Sequence, residues 1–196
     1  MALEKYNHKH SRRAGEAGTS LVEVLAAIMI MVTGVLMMAQ MFVISTTSNV
    51  ASRNDTFAAV LAEQKMEQLR SMTWGFDTQG VPVSDFSTDT TVTPESPNGG
   101  QGLQPSPGTA LQTNTTGYVD HVGAHGEIVG NGVQPAAAAV YTRRWSIEPL
   151  PTNPNNTLII QVLVTPNRNR GQADQGNVGR LPGEARVITV KTRKAQ

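Results

Sequence analysis

The longest hydrophobic segment of the chain lies near its N-terminus. Residues 24–44 read VLAAIMIMVTGVLMMAQMFVI, and only Thr33, Gly34 and Gln40 interrupt the apolar side chains. No charged residue occurs from position 24 to position 52. A helix of roughly 20 apolar residues spans the hydrocarbon core of a bilayer. The pattern predicts a transmembrane helix rather than a buried core helix. A cleaved secretory signal is disfavoured because the run is long and no A-x-A-like cleavage site follows it.

The helix that begins in this segment is predicted to continue far beyond it. No proline occurs before Pro82, and Gly34 is the only glycine between Gly18 and Gly75. Proline and glycine are the residues that most often end a helix, so residues 22–72 can form one helix of about 51 residues.

From residue 48 onward the helical pattern becomes amphipathic. Apolar side chains at helical spacing form one stripe, with Val60 beside it: Val50, Phe57, Leu61, Leu69 and Met72. Charged side chains are assigned to the polar surface of the same helix: Arg53, Asp55, Glu63, Lys65, Glu67 and Arg70. The pattern predicts that this half of the helix packs one face against a small folded head.

The C-terminal part of the chain has the pattern of a β-sheet. Residues 157–165 are strongly β-branched, and residues 140–148 and 185–192 alternate between two sets of side chains, which predicts three antiparallel strands. A Gly-, Asn- and Arg-rich loop, residues 166–183, joins the second strand to the third. Residues 75–139 are rich in Gly, Pro, Thr, Asn and Ser and predict a surface-loop region with some short strands. The fold class is therefore α+β.

Composition and charge exclude several kinds of functional site. The chain of 196 residues has no cysteine, which excludes disulfides, Cys-ligated metal sites and thiol nucleophiles. Residues 1–18 carry a net charge of +2, whereas the remainder carries −1. A basic flank before a transmembrane helix stays in the cytoplasm, which places the C-terminal bulk on the outer side. The net basic excess of the chain lies in this flank, and such a distribution is not typical of a general nucleic-acid binder.

One carboxylate lies at the start of the apolar run. Glu23 is costly there if it is drawn toward lipid, and such residues usually have a partner. If the chain were cut after Gly18, Thr19 would carry a new α-amine and Glu23 would be the fifth residue of the shortened chain. Unit charges about 4 Å apart attract by roughly 4 kcal/mol at an effective dielectric of ~20. The amine could belong to the same chain or to a neighbouring subunit.

A basic leader, Gly18, Glu23 at a fixed offset and about twenty apolar residues together resemble the N-terminal signal of type IV prepilins and type II secretion pseudopilins. In that family a prepilin peptidase cuts after the leader glycine and N-methylates the new first residue. Gly18 matches the leader glycine, and Glu23 matches the carboxylate at mature position five. Thr19 departs from the usual Phe or Met at the first mature position. Because the leader glycine directs cleavage in the family, this departure affects the expected methylation of Thr19 more than the expected cleavage after Gly18.

The resemblance covers residues 12–72. Within the family, the starting sequence and residues 61–70 (LAEQKMEQLR) are most similar to PilV-type minor pilins and to I-type minor pseudopilins. The resemblance implies a pilin-like lollipop, in which a long helix packs on a small antiparallel sheet. It also implies residence in the inner membrane with the head in the periplasm, followed by assembly into a pilus or pseudopilus. Gly34, near the middle of the apolar half of the helix, is most simply a weak point that a transmembrane helix tolerates. The alternative is a site where the helix bends or melts locally during assembly.

Together these observations divide the chain into four regions. They are a leader at 1–18, a long helix at 19–74 with its membrane and assembly segment at 24–44, a loop region at 75–139, and a sheet at 140–196 that includes the loop 166–183. The expected partners are the prepilin peptidase, other pilin or pseudopilin subunits and inner-membrane lipid.

Other candidate functional sites have less support in the sequence. His121 and His125, with Asp120 and Glu127 nearby, could form half of a metal site, but the Gly-rich surroundings favour a solvent-exposed loop. Trp74 and Phe76 are expected to cap the core of the head. No catalytic set or cofactor motif stands out, so we expect a non-enzymatic protein without a cofactor.

The C-terminal third is basic, and an exposed Arg-rich loop could contact the phosphates of DNA. A solvated loop or a subunit contact is the preferred interpretation, because aromatic residues are sparse there. The basic residues concerned are Arg143, Arg144, Arg168, Arg170, Arg180, Arg186, Lys191, Arg193 and Lys194.

One rival hypothesis belongs to a different class of protein. An unprocessed, single-pass, membrane-anchored binding or adhesion module explains the apolar helix and the head equally well, but it leaves Gly18 and Glu23 as a coincidence. The sequence alone does not distinguish a pilus, a type II secretion pseudopilus and a DNA-uptake fibre.

Overall fold

The computed structural model describes residues 18–169 and 181–194. Within it the chain divides into two compact units, Met1–Thr47 and Ser48–Gln196. The basic leader before Gly18 and the residues Arg170 and Arg180 of the Arg-rich loop lie outside the described residues. The two units are described separately below.

A single helix, α1, extends over Leu21–Ser71. Its bounds agree with the predicted helix at 22–72 to within one residue at each end. The helix ends where residues 73–76 adopt an extended conformation, and Arg70 lies in its last turn, where a cation interacts favourably with the helix dipole.

In the first unit the apolar side chains of α1 are exposed. Leu36 is 59 % exposed and Phe42 is 74 % exposed, and no residue of the most hydropathic stretch of the helix is buried. By length and composition this helix is able to cross a membrane. The predicted apolar segment is therefore present as an uncovered helical surface.

The second unit is built on a five-stranded antiparallel sheet with the order β4-β3-β5-β6-β7. A separate two-stranded hairpin, β1–β2, follows the helix. The strands are β1 (Trp74–Phe76), β2 (Pro82–Ser84), β3 (Val119–Val122), β4 (Ile128–Gly130), β5 (Tyr141–Pro149), β6 (Thr157–Pro166) and β7 (Ala185–Thr192). The α+β class is confirmed.

The three predicted strands correspond to β5, β6 and β7. The prediction for β7 has the observed bounds, and β5 and β6 each end one residue later than predicted. The region at 75–139 contributes four further short strands, and two of these, β3 and β4, extend the main sheet. Three or four residues are too few for an alternating pattern to identify a strand from sequence.

The core forms where the second half of α1 meets one face of the sheet. The buried helix residues recur at helical spacing: Ala58, Leu61, Ala62, Lys65, Met66 and Leu69. Ala58 and Ala62 are completely buried in this interface. The predicted stripe was wrong at Val50, which is 51 % exposed, and Val60, which was placed beside the stripe, is 58 % exposed. It was wrong also about Lys65, which was assigned to the polar surface and is completely buried.

Lys65 belongs to a buried ion cluster that joins the helix to the sheet, defined here as Lys65, Asp120 on β3 and Arg143 on β5. Lys65 Nζ lies 2.9 Å from Asp120 Oδ2. Arg143 donates from Nε and Nη2 to the two carboxylate oxygens of Asp120, at 2.9 Å each. Two cations thus share one anion inside the core.

The ion cluster is also bonded to the surrounding backbone and aromatic core. Arg143 Nη1 donates to the carbonyl oxygen of Leu61 on the helix at 3.1 Å. Lys65 Nζ donates to the carbonyl oxygen of Thr90 and lies 4.2 Å from the centroid of the Trp145 ring. These contacts fix the rotation of α1 on the sheet, because Lys65 and Leu61 lie one turn apart on the buried face of the helix.

Burial lowers the pKa of Lys65 to about 8, although Asp120 opposes the shift. The unfolded chain, with a lysine pKa near 10.5, therefore binds more protons than the folded chain between about pH 8 and pH 10.5. Stability should consequently rise with pH across this window, by up to about 3 kcal/mol. Below pH 8 the folded protein bears the full cost of keeping a buried ammonium charged.

We expect Lys65→Met to remove this pH dependence. Urea unfolding of the full chain in detergent, followed by the fluorescence of Trp74 and Trp145, would measure the free energy of unfolding from pH 7 to pH 10. Arg53→Met, at an exposed cation of the same helix, is the control and should keep the wild-type slope. An unchanged slope in the Lys65→Met chain would contradict the assignment of the slope to Lys65.

Candidate assembly site at the start of the helix

The segment around Gly18 and Glu23 forms the N-terminal cap of α1. Gly18, Thr19 and Ser20 precede the helix and are exposed. The backbone N–H of Glu23 donates to the carbonyl oxygen of Ser20 at 3.0 Å and to its Oγ at 3.2 Å. Ser20 is thus the N-cap residue, with Glu23 three positions later at the spacing of a capping box. The sequence analysis missed Ser20, although this spacing was visible.

The cap gives Glu23 a local role within its own chain. A carboxylate in the first turn interacts favourably with the helix dipole, typically by 0.3–1 kcal/mol at an exposed site. Glu23 is exposed and is the only charged residue from position 18 to position 52. Its neighbours Leu21 and Val22 are 83 % and 72 % exposed. The start of the helix thus displays one negative charge on an apolar surface.

The predicted cleavage position lies outside regular structure. The peptide bond between Gly18 and Thr19 precedes the first residue of the helix, Leu21, and both residues are exposed. A Cβ atom at Gly18 would have no neighbour within 4 Å, so the fold of the chain itself does not demand glycine there. A peptidase that acts on an extended backbone would find this bond accessible.

Gly34 lies within the uninterrupted helix. A Cβ atom there would also have no neighbour within 4 Å. The nearby Thr33 donates from Oγ1 to the carbonyl oxygen of Met29 at 2.8 Å, a contact that often accompanies slight bending of a helix. Packing within the described chain does not require glycine at this position, and the weak-point hypothesis stays a prediction.

The two histidines do not lie together in one exposed loop. His121 is completely buried on β3, so the expected solvent-exposed loop was wrong for this residue. Its ring nitrogens contact Thr142 Oγ1 at 3.1 Å and the carbonyl oxygen of Gly132 at 2.8 Å. His125 is exposed in the turn that follows β3. Over residues 18–169 and 181–194, no three side chains of the metal-binding types come together.

Several of the basic residues considered for DNA have structural contacts. Arg143 and Arg144 are buried on β5, and Arg144 Nε donates to Asn114 Oδ1 at 2.7 Å. The guanidinium carbon Cζ of Arg193 lies over the Trp74 ring, 3.7 Å from its centroid. Arg143 and Arg144 are therefore unavailable to a nucleic acid on the surface.

Trp74 and Phe76 lie at the end of α1, as predicted. Trp74 is buried and belongs to the core, which confirms that it caps the head, while Phe76 is half-buried. Arg193 ties the end of the chain to this region by donating to the carbonyl oxygens of Gly75 and Val83, at 3.0 Å each.

No family model, no curated protein and no solved structure gives a significant match to this chain. A functional assignment therefore depends on the residues and the geometry of the chain itself.

Proposed function

We propose that the chain is a minor pilin-like structural subunit. It would be processed by a prepilin peptidase after Gly18 and assembled into, or prime the assembly of, a type IV pilus or a related type II secretion pseudopilus. The observation that carries the proposal is the single carboxylate of Glu23, displayed at the start of an exposed and otherwise uncharged apolar helix.

The apolar surface of the helix supports a subunit that moves from lipid into an assembly. An exposed surface of this size requires cover, which lipid supplies first and neighbouring helices supply after assembly. Exchanging lipid for protein gives little hydrophobic free energy, because lipid tails are as apolar as the side chains that replace them. The register between subunits then depends on van der Waals packing and on polar contacts, and Glu23 is the charged group available for such contacts in this segment.

The charge distribution supports an orientation. The basic flank Lys5–Arg13 would remain in the cytoplasm, and the C-terminal head would lie in the periplasm. Before assembly the protein would be a single-pass protein of the inner membrane. The contacting partners would be the peptidase, lipid and other subunits. The proposed role is structural rather than enzymatic.

Processing provides the direct test. We expect the membrane-extracted protein to begin at Thr19, with or without one added methyl group, and to begin at Met1 or Ala2 in cells that lack the prepilin peptidase. Intact mass and N-terminal peptide sequencing measure both states. Gly18→Leu should block the cut, whereas Gly15→Leu, at another glycine of the leader, should leave it unchanged.

Two results would overturn the proposal. A chain that begins at Met1 or Ala2 in both strains would indicate the rival, an unprocessed membrane-anchored binding or adhesion module. A chain that begins beyond Ala39 would indicate a cleaved secretory signal and a released head.

A further inference from the structure

The two edges of the main sheet differ. At one edge, β4 has only three residues, Ile128–Gly130, which offers little backbone for pairing. At the other edge, β7 pairs with β6 over eight consecutive residues in an unbroken register from Ala185 to Thr192. It contains no proline and no bulge, two devices by which natural edge strands avoid pairing with other chains.

Among the described residues, the second side of β7 is paired only at its end, where an isolated parallel bridge joins Lys194 to Gly75. The register between β6 and β7 shows which backbone N–H and C=O groups of β7 are unpaired. The N–H of Arg193 donates to the carbonyl oxygen of Asn156 at 2.8 Å, and this pair continues the register of Thr192 with Thr157.

Backbone groups of successive residues point alternately to the two sides of a strand. The residues that face β6 are therefore Arg193 and every second residue before it. The N–H and C=O groups that face away from β6 belong to Arg186, Ile188, Val190 and Thr192. Within the part of the chain that the structure describes, these four residues present an unpaired ladder along one side of the sheet.

The side chains along this edge define what could pair with it. On the outer face, Ile188 and Val190 are 58 % and 59 % exposed. They lie beside Gln161 and Ile159 of β6, their partners in the ladder. A strand added to β7 would place every second side chain against this exposed aliphatic surface.

The other face of the same edge is cationic. A groove of about 660 Å³ lies between the end of β7 and the segment that connects α1 to β1. Its charged lining residues are Arg70, Lys191 and Lys194, without a carboxylate among them. Arg70 pairs with Glu67 at 2.7 Å, and Lys191 Nζ donates to the carbonyl oxygens of Arg70 and Met72. Burial lowers the pKa of Lys191, and the neighbouring cations Lys194 and Arg70 lower it further.

We propose that the free edge of β7 docks an extended partner segment, added as a sixth antiparallel or parallel strand, whose side chains alternate between apolar and acidic. The apolar residues would cover Ile188 and Val190, and the acidic residues would lie against the cationic groove. Backbone hydrogen bonds to β7 would supply affinity for any extended segment. The alternation of apolar and acidic side chains in the partner would supply specificity.

The charges of β7 select this partner over a second copy of the chain. Residues 185–194 contain four cations and no acid. Pairing of two copies along this edge would bring two such strands together at the spacing of neighbouring strands, and their like charges would repel each other. The site lies on the head, and the inference does not depend on processing at Gly18.

Fluorescence anisotropy of the full chain in detergent tests the inference with two labelled peptides, one of alternating valine and glutamate and one of alternating valine and lysine. We expect the glutamate peptide to bind, with an affinity that falls as salt rises, and the lysine peptide not to bind. Absence of binding by the glutamate peptide, or equal binding of both, overturns the inference.

Two substitutions at one position separate backbone pairing from side-chain contact. Val190→Pro removes an N–H that faces away from β6, which an edge strand tolerates, and should weaken binding by about tenfold or more. Val190→Ala keeps that N–H and should weaken binding by no more than about threefold.

Tryptophan fluorescence checks that each variant is folded, and Ile188→Pro replaces Val190→Pro if the latter is not. Equal binding by the proline and alanine variants contradicts strand addition. A proline variant that lowers the oligomeric state of the chain without peptide identifies a second copy as the occupant instead.

Discussion

Asp120→Asn is expected to destabilise the head by about 3–5 kcal/mol, the range measured when one partner of a buried ion pair is removed. Asp120 is the anion of the buried ion cluster, and its two carboxylate oxygens pair with Lys65 and Arg143. Asparagine keeps the shape of the side chain but loses the charge. Two cations would then remain in the core with no counter-ion. A loss of this size is a large part of the 5–15 kcal/mol stability of an ordinary domain.

Replacement of the three residues of the buried ion cluster should not change the stability of the head equally. Lys65→Met leaves the Asp120–Arg143 pair intact, with both hydrogen bonds and a balanced charge. Replacement of a buried charge by an apolar side chain of similar volume is often neutral or stabilising when no charge is left unpaired. We therefore expect a change below about 1.5 kcal/mol for Lys65→Met near pH 7.

Urea unfolding of the full chain in detergent, followed by tryptophan fluorescence, measures both effects, because Trp74 and Trp145 both lie in the core of the head. Asp55→Asn, at an exposed acid on the same helix, serves as the control and should change stability by less than about 0.5 kcal/mol. The double variant Lys65→Met with Asp120→Asn should recover part of the loss. Equal destabilisation by Lys65→Met and Asp120→Asn would contradict this account of the cluster.

The elements that the sequence predicted well are those with long, regular patterns. The helix and the strands β5, β6 and β7 each contain at least eight residues, so local periodicity identifies them. The alternation of β5 also placed Arg143 on the same face as Tyr141 and Trp145, which was a signal that Arg143 is buried. A charged residue on a core face requires a partner of opposite charge, and that requirement was not pursued.

The errors concern residues whose environment depends on distant parts of the chain. Lys65 lies one turn from Leu61 and one turn from Leu69, on the buried face of the helix, but its charge assigned it to the surface. Its partner Asp120 lies on a strand of four residues that periodicity could not identify. His121 was misplaced for the same reason. Long-range pairing between short elements is not encoded in any single window of the sequence.

The candidate assembly site was more accessible to sequence reasoning, since its features are local. Gly18, Glu23 and the apolar run lie within 27 consecutive residues, and the structure adds only Ser20 as the N-cap. The free edge of β7 could not be predicted, because an edge is defined by which strands fail to pair with it.

Glu23→Gln is expected to prevent assembly while the amount of protein in the membrane stays unchanged. Under the proposed function, the carboxylate pairs with the α-amine of Thr19 in the same or a neighbouring subunit. Loss of its charge removes an attraction of roughly 4 kcal/mol per subunit at an effective dielectric of ~20. The apolar segment that holds the chain in lipid is not altered, so insertion should be unaffected.

The choice of glutamine separates this role from helix capping. Glutamine at the third position after an N-cap serine serves a capping box as glutamate does, so Glu23→Gln preserves the local hydrogen bonding and removes only the charge. Glu23→Ala removes both. If the carboxylate pairs with an amine, both variants should fail to assemble. If Glu23 acts only as part of the cap, Glu23→Gln should assemble normally and only Glu23→Ala should be impaired.

The measurement compares the sheared fibre fraction, or the complex that co-purifies with other subunits, against the membrane fraction of the same cells. Glu63→Gln, an exposed glutamate on the head half of α1, is the matched control and should assemble at the wild-type level. N-terminal sequencing of each variant shows whether the chain still begins at Thr19, which separates a failure of assembly from a failure of processing. A Glu23→Gln chain that is processed and assembles at the wild-type level would show that the charge is dispensable, because the apolar helix alone would then be sufficient to set the register between subunits.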